Sequence, residues 1–427
     1  MASWIPGAAE SGFSLQNLPY GVFSTAVLDK RIGVAVGDQI LDMRAMSEEG
    51  MLDDLQFDTR TLLEPVLNAF AAQGKDAHRR LRHKLQRLLA QDSDLPSELR
   101  DNPGRRNKVC IPVAEATMHV PMSIGDYTDF FVGLYHAQNC TEIIRPGSKL
   151  AKNFYDQPIG YHGRASSIVV SGTPIRRPKG QFVTDSGNKA GPSEKLDFEV
   201  EFAAFVGRGN EMGSSIQVAD AEEHIFGVVL MNDWSSRDIQ MQESAPLGPF
   251  NGKNFGTTIS SWIVPLEALE SVRTRPLQPD EQKLLPYLNE KDRKSAFDIP
   301  IEVTLEDASG AFALTTCNTK FGIFSFAQML AHHTLGGCPM RPGDLIATGT
   351  LSGPTREELG CFLESSWNGQ RYHEMEGLSQ SGGDGRKTKR LFLNDGDVVE
   401  FQARTKGALG DVSFGPFRGQ IVPANNP

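Results

Sequence analysis

At 427 residues the chain is too long for one ordinary core, and its 39% hydrophobic and 22% charged content is that of a globular protein, so two domains are expected. A net charge of −10 excludes the basic surface that a nucleic-acid partner needs, whereas a small anionic substrate needs only a local basic pocket. No apolar run approaches the ~20 residues of a membrane span, the opening M-A-S-W-I-P-G-A-A-E lacks the regions of a signal peptide, and the five cysteines are widely spaced with no C-x-x-C pair. Reduced thiols, a cytoplasmic location and no membrane partner are therefore expected.

Residues 1 to about 58 carry short apolar runs broken by turns, such as L-P-Y-G-V-F-S-T at 18–25 and R-I-G-V-A-V-G-D-Q-I-L-D at 31–42, which read as strands of a small barrel or sheet. Residues 59–73 and 76–91 have helical spacing. In the second, Leu81, Leu85, Leu88 and Leu89 form an apolar stripe, and His78, His83 and the arginines read as a solvated face. Pro96 and Pro103-Gly104 mark a linker near 95–110, and the division is set at 1–118 and 119–427. Beyond residue 120, turn-strand units recur (S-G-T-P-I at 171–175, R-P-G-D-L-I-A-T-G-T at 341–350, N-D-G-D-V-V-E-F at 394–401), which predicts a mostly antiparallel roll. The polar stretches 277–297 and 370–390 are expected to be surface loops.

Within this half, L-D-F-E-V-E-F-A-A-F-V at 196–206 alternates, so Asp197, Glu199 and Glu201 share one face of a strand. A half-buried strand with a solvated acidic face would give this pattern. Unrelieved like charge argues instead for a divalent cation, which takes an all-oxygen site. Three more segments carry chemistry. Asp129 and His136 in I-G-D-Y-T-D-F-F-V-G-L-Y-H-A-Q-N are spaced to face one way on a helix, as a ligand and a base or as an ordinary surface helix. V-V-L-M-N-D-W-S-S-R-D-I-Q at 228–240 delivers Asn232, Asp233, Arg237 and Gln240 at the end of an apolar strand. G-P-F-N-G-K-N-F-G-T-T at 248–258 presents Lys253 between glycines without being a phosphate-binding P-loop. G-T-L-S-G-P at 349–354 reads as a plain turn. Together these offer four carboxylates, one His and basic groups, a set suited to metal-assisted hydrolysis or carbon–carbon cleavage beside a carbonyl.

D-Y-T-D-F…H-A…N, G-Y-H-G-R-A-S-S at 160–167, S-G-T-P-I-R-R-P at 171–178, M-N-D-W-S-x-R-D-I-Q at 231–240, P-L-G-P-F-x-G-K at 246–253 and G-T-x-S-G-P at 349–354, in this order, resemble the fumarylacetoacetate hydrolase family over nearly the whole chain. The resemblance implies a small SH3-like N-terminal domain and a large mixed β-roll (mostly β, α+β), a cytoplasmic homodimer, and hydrolysis of 4-fumarylacetoacetate to fumarate and acetoacetate in tyrosine and phenylalanine breakdown. It implies metal ligands Asp129, Glu199, Glu201 and Asp233, with Lys253 and Thr257 beside a further cation, the cofactors being Mg2+ and/or Ca2+. It implies His136 as the base, Glu364 as the group that holds it, Arg237, Gln240 and Lys253 as oxyanion stabilisers, and Arg145, Tyr161, Gln240 and Thr350 as contacts to the diketo-acid substrate.

Phe131 and Ser244 stand where members of that family place substrate-contacting tyrosines, a loss of roughly 0.5–1.5 kcal/mol for each hydroxyl that made one hydrogen bond. Two other functions fit the same residues: an acylpyruvate or related diketone hydrolase or decarboxylase on the same metal core, and a non-catalytic Ca2+-stabilised binding protein. The first would be separated by substrate profiling, the second by metal binding without turnover.

Overall fold

The computed structural model describes residues 2–425 apart from 280–282, 293, 380 and 381. The first runs of the chain form a five-stranded antiparallel sheet in the order Cys110–Pro112, Gln39–Asp42, Arg31–Val36, Tyr20–Ser24, Thr117–His119. Gly37, at φ +59°, turns the second strand into the third, and a side chain there would meet the Pro6 carbonyl at 2.2 Å. The helix Lys75–Leu89 packs its leucine stripe inward as expected. His78 and Arg82 are buried too, so the expected solvated face is overturned for these two, and Lys84 is buried beside them. The Arg82 guanidinium donates to the Asn17 carbonyl at 2.8 Å and to that of Gln16, which ties the helix to the N-terminal segment. The helix expected over 59–73 is reduced to a 3-10 turn, Thr59–Leu63, and one α turn, Asn68–Ala71, with Pro65 between them.

The rest of the chain folds on two sheets. The first has seven strands in the order Gly160–Gly163, Tyr127–Phe130, Leu345–Ala347, Val200–Val206, Ile225–Asp233, Thr257–Ile259, Ile168–Val170, with parallel pairs near both edges. The second is built on the ribbons Pro300–Asp307, Gly310–Asn318, Val398–Thr405 and Phe417–Val422. This is a mixed, sheet-dominated α/β fold with half-barrel sheets and an N-terminal domain, in line with the β-rich expectation. Two cores meet on the seven-stranded sheet. Val200, Phe202, Ala204 and Val206 pack toward the second sheet, whereas Ala203 and Phe205 pack with Val22, Leu41 and Leu81 of the N-terminal part. Both faces of this strand are therefore covered, and its acidic face is not solvated.

The stretch 370–390 is not a loop. His373–Ser379 and Gly382–Arg390 form a hairpin on the edge of the second sheet, with His373 and Met375 buried and Glu374 and Glu376 exposed. High polarity hid a period-two pattern. In 277–297, Pro286–Leu288 makes a 3-10 turn and Ala296–Phe297 a short strand, with Leu288 and Phe297 buried, while 280–282 and 293 lie outside the described residues.

Candidate active site and metal centre

Register brings the carboxylates together. Asp129 pairs with Ala347, Ala347 with Ala203, Glu201 with Met231, and Asp233 with Thr257. Alternation then puts Asp129, Glu201 and Asp233 on one face of three strands of this sheet, the first separated from the second by Leu345–Ala347, and the same face carries Tyr127 and Met231. Oxygens of the three lie within 4.8 Å of one another, all buried. Asp129 and His136 do not share a helix. Asp129 ends a strand, Gly133 caps the next element, and His136 lies in the first turn of the helix Leu134–Ile144.

Asp129 Oδ1 and both oxygens of Glu201 are buried without a hydrogen-bond partner. Such atoms are costly unless something of opposite charge meets them. Asp233 is satisfied: Thr257 Oγ1 donates to Oδ1 at 2.8 Å, and Lys253 Nζ (2.8 Å) and the Tyr161 hydroxyl (3.3 Å) donate to Oδ2. Glu199 differs from the other three. Lys253 Nζ donates to its Oε2, and Arg237 Nη2 lies 2.8 Å from its Oε1. Gly252 makes this possible, because a Cβ there would meet the Gln240 backbone nitrogen at 2.8 Å and push the Lys253 loop off the helix Arg237–Glu243.

The charges follow from this layout. Burial, and then the neighbouring carboxylates, push Asp129 and Glu201 well above the carboxylate range. Burial also raises Asp233 against the pull of Lys253. Burial would raise Glu199 as well, but Lys253 and Arg237 outweigh it and hold this carboxyl low. Lys253 and Arg237 are raised, because Asp233 and Glu199 beside the first, and Glu199 and Asp197 beside the second, overcome desolvation. Four carboxylates thus face two cations. The orphaned oxygens and the surplus of negative charge fit a hard divalent cation held by Asp129, Glu201 and Asp233, with Glu199 alongside.

The second cluster surrounds His136. Its Nδ1–H donates to Glu364 Oε2 at 2.7 Å, which leaves Nε2, 3.4 Å from Cys140 Sγ, as the nitrogen able to accept a proton. Glu364 is fixed in turn by Ser352 Oγ (2.6 Å), Asn139 Nδ2 (2.8 Å) and the Cys361 thiol (3.1 Å). Phe131 meets the imidazole edge-on at 5.5 Å between centroids. Burial would depress the imidazole, yet Cys140 and Glu364 outweigh it and raise its basicity. Burial would raise Glu364, and its ion pair with His136 more than reverses that.

The remaining expected residues fall nearby or apart. Gln240 accepts from Arg237 Nη1 at 3.0 Å, and Ser244 Oγ donates to the Gln240 carbonyl at 2.5 Å. Thr350 is buried with an unpartnered hydroxyl. Tyr161, Asp233, Lys253 and Thr257 line a cavity of about 430 Å³ that also meets His162, Arg164 and Phe250. Arg145 is exposed where the His136 helix ends. Ser352, Asn139 and Asp197 were not singled out for these contacts. For Ser352 the sequence offers only its place in G-T-L-S-G-P, which is more than the plain turn expected.

A buried carboxylate triad with orphaned oxygens on Asp129 and Glu201, beside a carboxylate-held histidine and carried on a mixed half-barrel sheet, defines a metal-dependent hydrolase class of site. The chain belongs to the fumarylacetoacetate hydrolase family: residues 133–421 match the fumarylacetoacetate (FAA) hydrolase C-terminal model and residues 16–121 the fumarylacetoacetase N-terminal model. Among similar curated proteins, fumarylacetoacetase of Arabidopsis thaliana is 46% identical over 431 residues, covering 99% of each chain. Fumarylacetoacetase of Homo sapiens is 44% identical over 431 residues, covering 100% of both. A fumarylacetoacetate hydrolase structure from Exiguobacterium antarcticum shares the fold at TM-score 0.51 and 16% identity, covering 95% of this chain and 99% of the other. No helix among the described residues is long and apolar enough to cross a membrane.

Proposed function

We propose that the chain hydrolyses the carbon–carbon bond of 4-fumarylacetoacetate, giving fumarate and acetoacetate. The observation that carries the reading is the His136 Nδ1–H bound to Glu364 at 2.7 Å, in a chain similar end to end to fumarylacetoacetases. Nε2 of His136 takes a proton from water, and Glu364 holds the ring in the required tautomer and stabilises the imidazolium that forms. The hydroxyl oxygen bonds to the carbonyl carbon next to the alkene. Arg237, Gln240 and Lys253 stabilise the resulting oxyanion, each such donor being worth about 3 kcal/mol. As the C–C bond breaks, its electron pair stays on the acetoacetate carbon, which takes up the proton. Tyr161, Thr350 and Arg145 bind the substrate's oxygens. A divalent cation, Mg2+ or Ca2+, would be held by Asp129, Glu199, Glu201 and Asp233 and would supply Lewis-acid polarisation when bound, and Lys253 and Thr257 would adjoin a further cation.

The same reading carries a homodimer in the cytoplasm and an SH3-like N-terminal domain that gives way to the catalytic domain near residue 118. The test is loss of fumarylacetoacetate absorbance with purified protein, before and after EDTA treatment and on return of Mg2+ or Ca2+, with fumarate and acetoacetate identified as products. Metal-dependent loss supports the reading. A folded, metal-loaded protein that leaves fumarylacetoacetate intact but cleaves an acylpyruvate would replace it.

A further inference from the structure

Two buried thiols stand against the His136–Glu364 pair, and the hydrolysis uses neither. Cys140, one helical turn after His136, has Sγ 3.4 Å from Nε2 and 3.7 Å from Nδ1. Cys361 Sγ lies 4.0 Å from Nδ1 and 3.1 Å from Glu364 Oε2. Ligand atoms of His136, Cys361 and Glu364 all fall within 4.8 Å of one another. A tetrahedral ion with bonds of about 2.3 Å to sulfur and about 2.0–2.1 Å to nitrogen or oxygen has ligand edges of about 3.3–3.8 Å. The sulfur distances bracket that span. The 2.7 Å from Nδ1 to Oε2 and the 3.1 Å from Cys361 Sγ to Oε2 are shorter than that span, because protons now bridge these pairs.

We infer that His136, Cys361 and Glu364, with Cys140 beside the imidazole, form a second metal site, soft where the carboxylate triad is hard, that takes Zn2+ or Cd2+ in place of the Nδ1 proton. The Cys361 thiol and Nδ1 each release their proton to solvent, the ion gains one thiolate, one imidazole and one carboxylate, and nothing is oxidised. The three groups come from the helix Leu134–Ile144 and the segment 361–364, whose side chains already touch. Hard cations do not compete, since thiolate and imidazole are poor partners for Mg2+ or Ca2+. The inhibitory consequence rests on His136 being the base; the binding does not.

The probe is Cd2+, added to full-length protein whose carboxylate site is saturated with Mg2+. The expected result is one equivalent of ultraviolet thiolate-to-Cd2+ charge-transfer absorbance, with activity falling in proportion to the band. Cys361→Ser should weaken Cd2+ binding by more than the roughly 10–100-fold that loss of an outer partner costs, whereas Cys140→Ser should cost no more than that. A Cys110→Ser/Cys338→Ser protein, lacking the two half-exposed thiols, should keep the full band. No band in the wild-type protein, or a band lost only in the Cys110/Cys338 variant, overturns the proposal without reference to any variant at the site. A full band with undiminished hydrolysis supports the metal site and contradicts the base assignment instead.

Discussion

Asp197 Oδ2 accepts the Nε–H of Arg237 at 2.8 Å, and the same carboxylate accepts the backbone N–H groups of Phe362 (2.7 Å) and Leu363 (2.8 Å). One buried side chain thereby fixes both the guanidinium assigned to the oxyanion and the short turn that carries Glu364. Asp197 acts through Arg237 and the Glu364 turn, so its role is to position others. Removing one partner of a buried ion pair costs about 3–5 kcal/mol, and a misplacement of about 1 Å at a reacting group costs about 10²-fold in rate. Asp197→Asn should lower the unfolding free energy read from urea melts by the first amount and kcat by about the second, with KM changing less. A variant with normal kcat would detach Asp197 from the site.

Glu201 supplies a sharper test of the cation. Both its oxygens are orphaned, and burial with the surrounding carboxylates raises its pKa. In metal-free protein Glu201→Gln relieves that repulsion and should raise Tm. In wild-type protein, Ca2+ at 100 times its Kd should add about 2.7 kcal/mol of stability, an increment the variant should lose. Thermal melts with and without Ca2+ read both effects, and an equal Ca2+ shift in the variant would remove Glu201 from the ligand set.

His78 sets a pH dependence far from the catalytic residues. It packs between Phe70 and Phe226, donates Nε2–H to the Phe70 carbonyl at 3.0 Å, and burial depresses it to about 4. Its folded pKa lies below its unfolded one, so below pH 6.5 the unfolded chain binds a proton that the folded chain refuses. The stability this group contributes is complete above pH 6.5 and is lost as pH falls toward 4, about 3 kcal/mol in all. Denaturant melts between pH 4 and 7 should show that slope, and His78→Gln, which keeps a donor for Phe70, should flatten it. An unchanged slope would place the acid sensitivity elsewhere.

Phe131 and Ser244 test the substrate contacts. Phe131 keeps its ring against His136 but offers no hydroxyl. Restoring one by Phe131→Tyr should lower KM for fumarylacetoacetate by about 2–10-fold, the equivalent of a single hydrogen bond, with kcat nearly unchanged. A raised KM would mean that the phenyl edge itself is what the substrate needs.

The acidic strand was readable because its alternation is strict from Leu196 to Phe202. The unbroken apolar run from Phe202 to Val206 also carried the sign that both faces are covered, as they are by the two cores. Spacing misled where a glycine breaks the element: Gly133 separates the Asp129 strand from the His136 helix. The contact between His136 and Glu364 spans 228 positions, and no local pattern encodes it. Resemblance alone pointed there. Cys140 was in reach of simple reasoning, four residues after His136 on a helix. The inward cations of the helix Lys75–Leu89 were not, since Arg82 is buried by a carbonyl partner at Asn17 that only the tertiary fold supplies.

The most direct test of the account is His136→Ala, assayed for fumarylacetoacetate hydrolysis with Ca2+ binding measured calorimetrically on the same sample. The account predicts a fall in kcat of about 10²–10⁴-fold, typical of a lost general base, with Ca2+ affinity unchanged. Near-normal turnover by a folded, Ca2+-loaded His136→Ala protein would contradict it.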